Sequence, residues 1–436
     1  MANSYLTRTP SSAGSRVKWT YSVWLKRSKL GHAPIWAAST DSNNYDEFYF
    51  NTSDKIQFST VTSSSQKAIR TSRVFRDTSA WYHIVLVYDT GNSTDTDHAQ
   101  LWINGVRETS FEDTTLLASG ANNVQSNWNN NIEMKIGRVT TNTAAYFEGY
   151  MSHAAFVNDA VVAPTSFGET DSTSGIWKFK SPSGITWGTN GFHLKFENSG
   201  NLGLDSSGLT NNFTVNGNLK QSLDTPSNVH ATLNSLIKSG YTITYSSGNT
   251  KATYPSSGWA GTLSTIGVSS GKWYWEGKMN TTGDNNFFGI MGEGVNMSDT
   301  SVHNETTGVV IAKGSGNLNV NNTASASYFS ALSNGDIFSC ALDLDSATKT
   351  IQFYKNGAVN GSAVNLPTNM QTGFVFPAFV GNASSNAINH EVNFGDGFFG
   401  TTAITNAGSN GNGSLFEYDV PSGFYALNTK NINTYG

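Results

Sequence analysis

Two aspartates in "ALDLDSA", Asp343 and Asp345, alternate along a segment with strand periodicity and so point the same way. A pair of carboxylates flanking a sugar–sugar bond is the apparatus of glycoside hydrolysis. Leu342 and Leu344 claim the core face, however, and no Glu follows at the spacing a nucleophile–acid pair requires. The pair is therefore expected to carry no catalysis. Nucleophilic chemistry is served no better, since the chain holds no Gly-x-Ser-x-Gly, His-Glu-x-x-His or phosphate-cradling loop. Cys340, the single cysteine, reads as a small core residue in "FSCALDL", and His83 in "WYHIVLV" as a hydrogen-bonded sheet histidine. One cysteine also excludes an intramolecular disulfide and a zinc site built of several thiolates. The expectation is a protein that is not an enzyme.

The residue types that remain suit recognition. Aromatic faces stack on the apolar patches of sugar rings, while Asn, Asp and Ser satisfy hydroxyls. Tyr45 in "DSNNYDEFY" and Trp128 with Asn129 in "NNVQSNWNNN" are the candidates for ligand binding. The competing reading is that such loops serve turn geometry and that Trp128 closes a core edge. A second constellation, Asp205, Asn211 and Asn212 in "LDSSGLTNN", offers loop oxygens of the kind Ca²⁺ takes. Only one carboxylate lies there, and an Asx-turn at Ser207-Gly208 explains it equally. Asp95 and Asp97 in "TGNSTDTDHAQ" are further acidic candidates.

Composition narrows the partners. The chain has 436 residues, a net charge of −5 and only 13% charged residues, with no Lys/Arg cluster to meet phosphates. Nucleic acid is thus not expected as the main partner. No run of about 18 apolar residues occurs, so no membrane span is expected. The start, "MANSYLTRTPSSAGSR", lacks the apolar stretch of a secretory signal, and the expectation is a soluble protein made in a cytoplasm.

Period-two patterning runs through nearly the whole chain. "VKWTYSVWLKR", "WYHIVLVYD" and "QLWING" are followed much later by "GKWYWEGKM", "DIFSCALDLD" and "TIQFYKNG". Asn104-Gly105 and Asn356-Gly357 supply the two positive-φ residues of a type I′ hairpin turn. The expected fold is all-β, two antiparallel β-sandwich domains of concanavalin A-like or jelly-roll design in tandem. The expected boundaries are 1–222 for the first sandwich, 223–240 for a linker, 241–400 for the second, and 401–436 for a glycine-rich loop and a tail packing back on it.

Motif order adds a resemblance. "DTSAWYHIVLVYD", "AQLWINGV", "KIGR", "FEGYMSHAAFVN" and "LGLDSSGLTNNFTVNG", spread over roughly 15–220, resemble the laminin-G/pentraxin-like branch of the concanavalin A-like sandwiches. That likeness implies calcium at a loop, although Leu209-Thr210 stands where relatives carry Asn-Gly. "GKWYWEGKM", "FFGIM", "NGDIFSCALDLD", "IQFYKNG", "VFPAFVG" and "VNFG" resemble the SPRY (B30.2) domain, a family that grips short protein segments. The combination, with "LDTPSNVHATLNSL" and "YDVPSGFYALNTKNI", is similar to tandem virion proteins of marine bacteriophages. It implies a place on a fibre, an appendage or the capsid exterior, other virion proteins as partners, and a host-surface glycan as ligand. Capsid decoration or tail assembly through protein contacts alone is the alternative, and a polysaccharide-degrading glycanase the remote one. Oligomers are allowed, but no coiled-coil or repeat stalk specifies one.

Overall fold

The computed structural model describes residues 3–139, 145–237, 239–255, 258–280, 285–383 and 388–436. The chain divides into two compact units, Met1–Gln221 and Ser222–Gly436. Both are built of antiparallel sheets, as tandem sandwich-type domains require.

In the first unit the strands are β1 Tyr5–Arg8, β2 Lys18–Arg27, β3 Ala33–Asp41, β4 Asn44–Phe50, β5 Ile56–Thr62, β6 Ser65–Thr71 and β7 Tyr82–Asp89. They are followed by β8 Ala99–Ile103, β9 Val106–Arg107, β10 Phe111–Asp113, β11 Met134–Ile136 and β12 Gly149–Asn158. A short hairpin of β13 Gly168–Thr170 and β14 Trp177–Phe179 precedes β15 Phe192–Leu194 and β16 Thr214–Asn216. One sheet runs β10-β6-β5-β4-β3-β11-β1-β16, the other β15-β12-β2-β7-β8-β9. Alternation decides which side chains meet between them. Trp19, Tyr21, Val23 and Leu25 of β2 point inward, and Trp19 stacks on Tyr88 with ring centroids 5.0 Å apart. Such pairs add to area burial that already contributes kilocalories per ring.

The second unit carries β17 Thr244–Ser246, β18 Lys251–Thr253, β19 Ala260–Leu263, β20 Lys272–Met279, β21 Asn286–Gly292, β22 Val309–Lys313 and β23 Leu318–Val320. Then come β24 Thr323–Ser325, β25 Ile337–Asp343, β26 Thr350–Lys355, β27 Ala358–Val359, β28 Val364–Asn365, β29 Val375–Gly381 and β30 Asn389–Asn393. Its sheets run β17-β18-β30-β20-β25-β26-β27 and β19-β29-β21-β22-β23-β24. Laid side by side, β6-β5-β4-β3-β11-β1 and β24-β23-β22-β21-β29-β19 have the same strand order and the same sequence of connections. So do β12-β2-β7-β8-β9 and β30-β20-β25-β26-β27. The two units share one topology.

The repeated hairpin marks that equivalence at atomic level. Asn104 and Gly105 have φ of 50° and 77°, Asn356 and Gly357 of 48° and 78°, as a type I′ turn demands. In each the asparagine Oδ1 accepts from the first residue or so of the preceding strand: His83 N at 2.8 Å, Ile337 N at 2.9 Å.

Residues 223–240, expected to link the domains, fall within the second unit. Ala231 and Leu233 enter its core, and Asn234 N bonds Leu263 O at 2.8 Å. Lys238 lies outside the described residues. Two inward side chains at alternate positions are too short a pattern to announce a strand, yet they suffice to dock the segment. In the tail, Phe416, Val420 and Ala426 are buried, and a helix, α1 Thr429–Tyr435, begins at Asn428, whose side chain accepts from Asn431 N.

Candidate functional site

Each sandwich has two outward sheet faces, and three of the four are filled by segments of their own unit. Over β7 and β12, Val85, Val87, Ala155 and Val157 pack beneath Phe167, Val162, Ile185 and Trp187. Over β20 and β25, Tyr274 and Ala341 pack beneath Phe416 and Val420. On β21, β22 and β29, Phe287, Met291, Val309, Ile311 and Val380 pack beneath Met297, Val302 and Trp259.

The fourth face belongs to the sheet containing β4, and there the residue types change. Its counterpart in the second unit is apolar, but here Lys135, Ala37, Glu47, Ser59 and Ala68 lie in register across β11, β3, β4, β5 and β6. Tyr45, beside Val61 and Gln66, stands on one side of that row. Tyr49, beside Gln57 and Arg70, stands on the other. Among the described residues of the first unit, no apolar cluster covers this face.

The face is ordered by its own bonds. His32 Nε2 meets Glu47 Oε1 at 3.0 Å, and the His32 ring abuts Tyr49 edge-on at 5.2 Å. Ser59 Oγ accepts from Gln57 Nε2 at 2.9 Å and Gln66 Nε2 at 3.1 Å, and bonds the Tyr49 phenol. Burial, with help from Glu47, pushes the Tyr49 phenol up to about 12, and the same two causes raise Tyr45. Both tyrosines are therefore neutral hydroxyl-bearing rings, half-buried, with Glu47 between them. Such a surface offers stacking faces, the Gln66 amide carbonyl and a carboxylate oxygen to a polyhydroxylated ligand.

Of the candidates named from sequence, Tyr45 lies on this face. Trp128 and Asn129 do not reach solvent. Trp128 is 0% exposed, stacked on Trp19 with centroids 4.9 Å apart. Its backbone N donates to Asp46 Oδ2 at 3.0 Å, and Asn127 Nδ2 donates to Asp46 Oδ1 at 3.2 Å. Burial pushes the Asp46 carboxyl up to about 6 against those bonds. Asn129, also 0% exposed, adopts φ 60° and ties Ser15 O, Asn158 and Asn190 together. Both residues hold the loop to the core, which corrects the expectation that they meet a ligand. An Asn-rich loop hides its tryptophan when a buried carboxylate pins the neighbouring backbone.

Asp205, Asn211 and Asn212 come together, but as a closed hydrogen-bonded turn. Asp205 Oδ1 accepts from His193 N and Ser207 N, both at 2.8 Å. Its Oδ2 accepts from Ser207 Oγ and Asn211 N, again at 2.8 Å. Arg8 Nη2 donates to Asn211 Oδ1 at 2.5 Å, and Asn212 Oδ1 accepts from Asp205 N at 2.8 Å. The lone pairs a calcium ion would need are spent on donors, and a guanidinium sits on one of its oxygens. This donor set does not fit the ion. Asp97 pairs with Arg107 at 2.5 Å beside β8, while Asp205 bridges Leu194 of β15, the opposite edge of that sheet. Among the described residues no group of three or more His, Cys, Asp or Glu is placed to hold a metal.

The remaining chemistry-bearing groups are likewise spent. Asp343 pairs with Lys272 at 2.8 Å, and Asp345 accepts from Gly271 N at 2.7 Å, so each carboxylate is held by a neighbour of its own unit. Cys340 is buried, which raises its thiol well above the ordinary value. His83 and Ser22 form a close pair, Nε2 to Oγ at 2.8 Å. Trp177 Nε1, a donor only, occupies His83 Nδ1 at 3.0 Å, and burial lowers the imidazole to about 3. The neutral ring must then carry its proton on Nε2 and donate to the serine, so it cannot serve Ser22 as a base.

Glu47, Tyr49, Gln57 and Gln66 went unnoticed in the sequence. Their signal is the alternation in "NYDEFYF": with Phe48 and Phe50 inward, Tyr45, Glu47 and Tyr49 must face out. No helix of the described residues is long and apolar enough to cross a membrane.

Residues 2–165 match the family model Laminin_G_3, the concanavalin A-like lectin/glucanases superfamily, so the chain begins with a lectin-type concanavalin A-like domain. No curated protein sequence matches the chain. Among solved structures, the SPRY domain of human HERC1 is similar at 21% identity over 33% of this chain and 86% of that one, with a TM-score of 0.27. The heptameric SAP-like pentraxin of Limulus polyphemus is similar at 14% over 36% and 71%, TM-score 0.28. Domain 4 of AbnA, a GH43 extracellular arabinanase from Geobacillus stearothermophilus solved with arabinotriose, is similar at 19% over 36% and 68%, TM-score 0.28. The likeness to SPRY-fold domains is weak and distant.

Proposed function

We propose that this chain is a non-catalytic recognition protein of a bacteriophage particle, and that its first unit holds a host-surface polysaccharide on the outward face of the β4 sheet. One observation carries the binding reading. Where three outward faces are sealed by apolar straps, among the described residues this one carries none, and Tyr45, Glu47, Tyr49 and Gln66 reach its surface. Leaving a polar and aromatic sheet face unsealed forgoes the burial its counterpart enjoys, as a surface kept for a ligand does. The virion setting rests on the order of motifs that resembles tandem phage proteins.

The test is a glycan array with the full chain and its Tyr49→Ala variant, alongside labelling of intact particles with an antibody to the chain. Binding that Tyr49→Ala abolishes while the thermal transitions remain supports the reading. A folded protein that binds no glycan yet labels particles is a decorating protein instead. Release of reducing ends from any bound polysaccharide overturns the non-catalytic part.

A further inference from the structure

Resting on that reading of the face, we infer that its ligand is an uncharged, linear oligosaccharide at least three rings long, laid along β4 from Tyr45 to Tyr49. Charge comes first. The lysine and arginine of the face already have carboxylate partners, Lys135 with Glu133 at 3.0 Å and Arg70 with Glu112 at 3.4 Å, and the His32 ring lies against Glu47 at 3.0 Å. A sulfated or uronate polymer would have to break one of these pairs and then meet the displaced carboxylate, so it gains no net attraction. A neutral polyol needs only acceptors and donors, and those are on offer. Glu47 uses Oε1 on His32, and among the described residues its other oxygen has no hydrogen-bond partner. Gln57, itself buried, and the exposed Gln66 both give their amide N–H to Ser59, which leaves the Gln66 carbonyl oxygen to accept from a ligand.

Length follows from strand geometry. Tyr45 and Tyr49 are four residues apart on one strand, roughly 13 Å between Cα atoms at about 3.3 Å per residue. Two sugar rings joined end to end do not reach both tyrosines; three do. Glu47 falls at the midpoint, where a carboxylate oxygen can accept from the hydroxyls of the central ring. The terminal rings then stack on the two tyrosines, each gaining only when the chain is long enough to arrive.

The experiment is calorimetric titration of the full chain with neutral malto-, cello-, laminari-, xylo-, arabino- and manno-oligosaccharides of two to six rings, and with oligogalacturonate and dextran sulfate. At least one neutral series is expected to gain about tenfold in affinity between two and four rings and then level off. Affinity is expected to change less than about twofold between roughly 50 mM and 500 mM sodium chloride. Tyr45→Ala and Tyr49→Ala should each remove the gain from the third ring, and Tyr45→Phe should restore it because the stacking face remains. Disaccharides binding as tightly as longer chains, or preference for the polyanions with steep salt dependence, overturns this inference while leaving the face as the site. Binding indifferent to both alanine variants, or no binding by any probe, overturns the face itself.

Discussion

Asp46 allows a test of the electrostatics of the first core. Its side chain is fully buried among Thr60, Asn127 and Trp128, and burial pushes its carboxyl from an ordinary 3.8 up to about 6. Among the described residues no salt-bridge cation partners it, and hydrogen bonds compensate the charge. Ionising such a group in the folded state costs about 3 kcal/mol relative to the unfolded chain. Because the folded value is raised, its favourable contribution is complete below about pH 3.8, fades as pH rises towards about 6, and is absent above that. Asp46→Asn removes the charge and keeps the shape. The stability difference between variant and parent should therefore move in the variant's favour by about 2.5 kcal/mol from pH 4 to pH 8, whatever other groups titrate, since they are common to both. Scanning calorimetry of the full chain reads this as a pH-dependent displacement of one transition by roughly 5–10 °C, with the second unit's transition as an internal control. A difference that is flat with pH, or that turns against the variant at pH 8, would refute the reasoning. It would mean that the Asn127 and Trp128 donors outweigh its desolvation.

The second unit has its own buried carboxylate: Glu276, pushed up to about 7 by burial, accepts from Glu417 N at 2.8 Å and Tyr418 N at 2.9 Å. Glu276→Gln should gain on the parent by about 3 kcal/mol between pH 4 and pH 8, in the other calorimetric transition. Trp128→Ala should cost the first unit about 3–5 kcal/mol in urea titration, whereas Tyr49→Ala, which loses only a half-buried ring and one hydrogen bond, should cost about 1 kcal/mol. Adding a chelator or excess Ca²⁺ should leave both melting temperatures unchanged, while Asp205→Ala should lower the first by orphaning four donors, about 2–3 kcal/mol. Gly105→Ala should cost about 2 kcal/mol, because φ is +77° and a Cβ there would meet the Trp177 ring at 2.5 Å, visible as increased proteolysis of residues 165–180.

Much of the architecture was legible because it is local. Period-two alternation identifies strands such as β2 and β25 wherever one face is buried, and Asn-Gly at 104–105 and 356–357 dictates its turn by backbone sterics alone. The single cysteine and the missing catalytic motifs bounded the chemistry for the same reason: they are matters of residue type, not of place.

What the sequence left open is which outward face stays free. Trp128 and Tyr45 both sit in asparagine-rich stretches and look alike as candidates. Their fates separate only when Asp46, some 80 residues away, draws the Trp128 backbone into the core. Likewise Val309 and Ile311 look no different from any strand until residues 295–302 are seen to lie over them, while among the first unit's described residues no apolar strap does the same for Glu47, which meets His32. Alternation determines that a side chain points outward, because that follows from the pleat of a single strand. Whether outward means solvent or a second layer depends on segments far along the chain, and that only the assembled sheets and their straps decide.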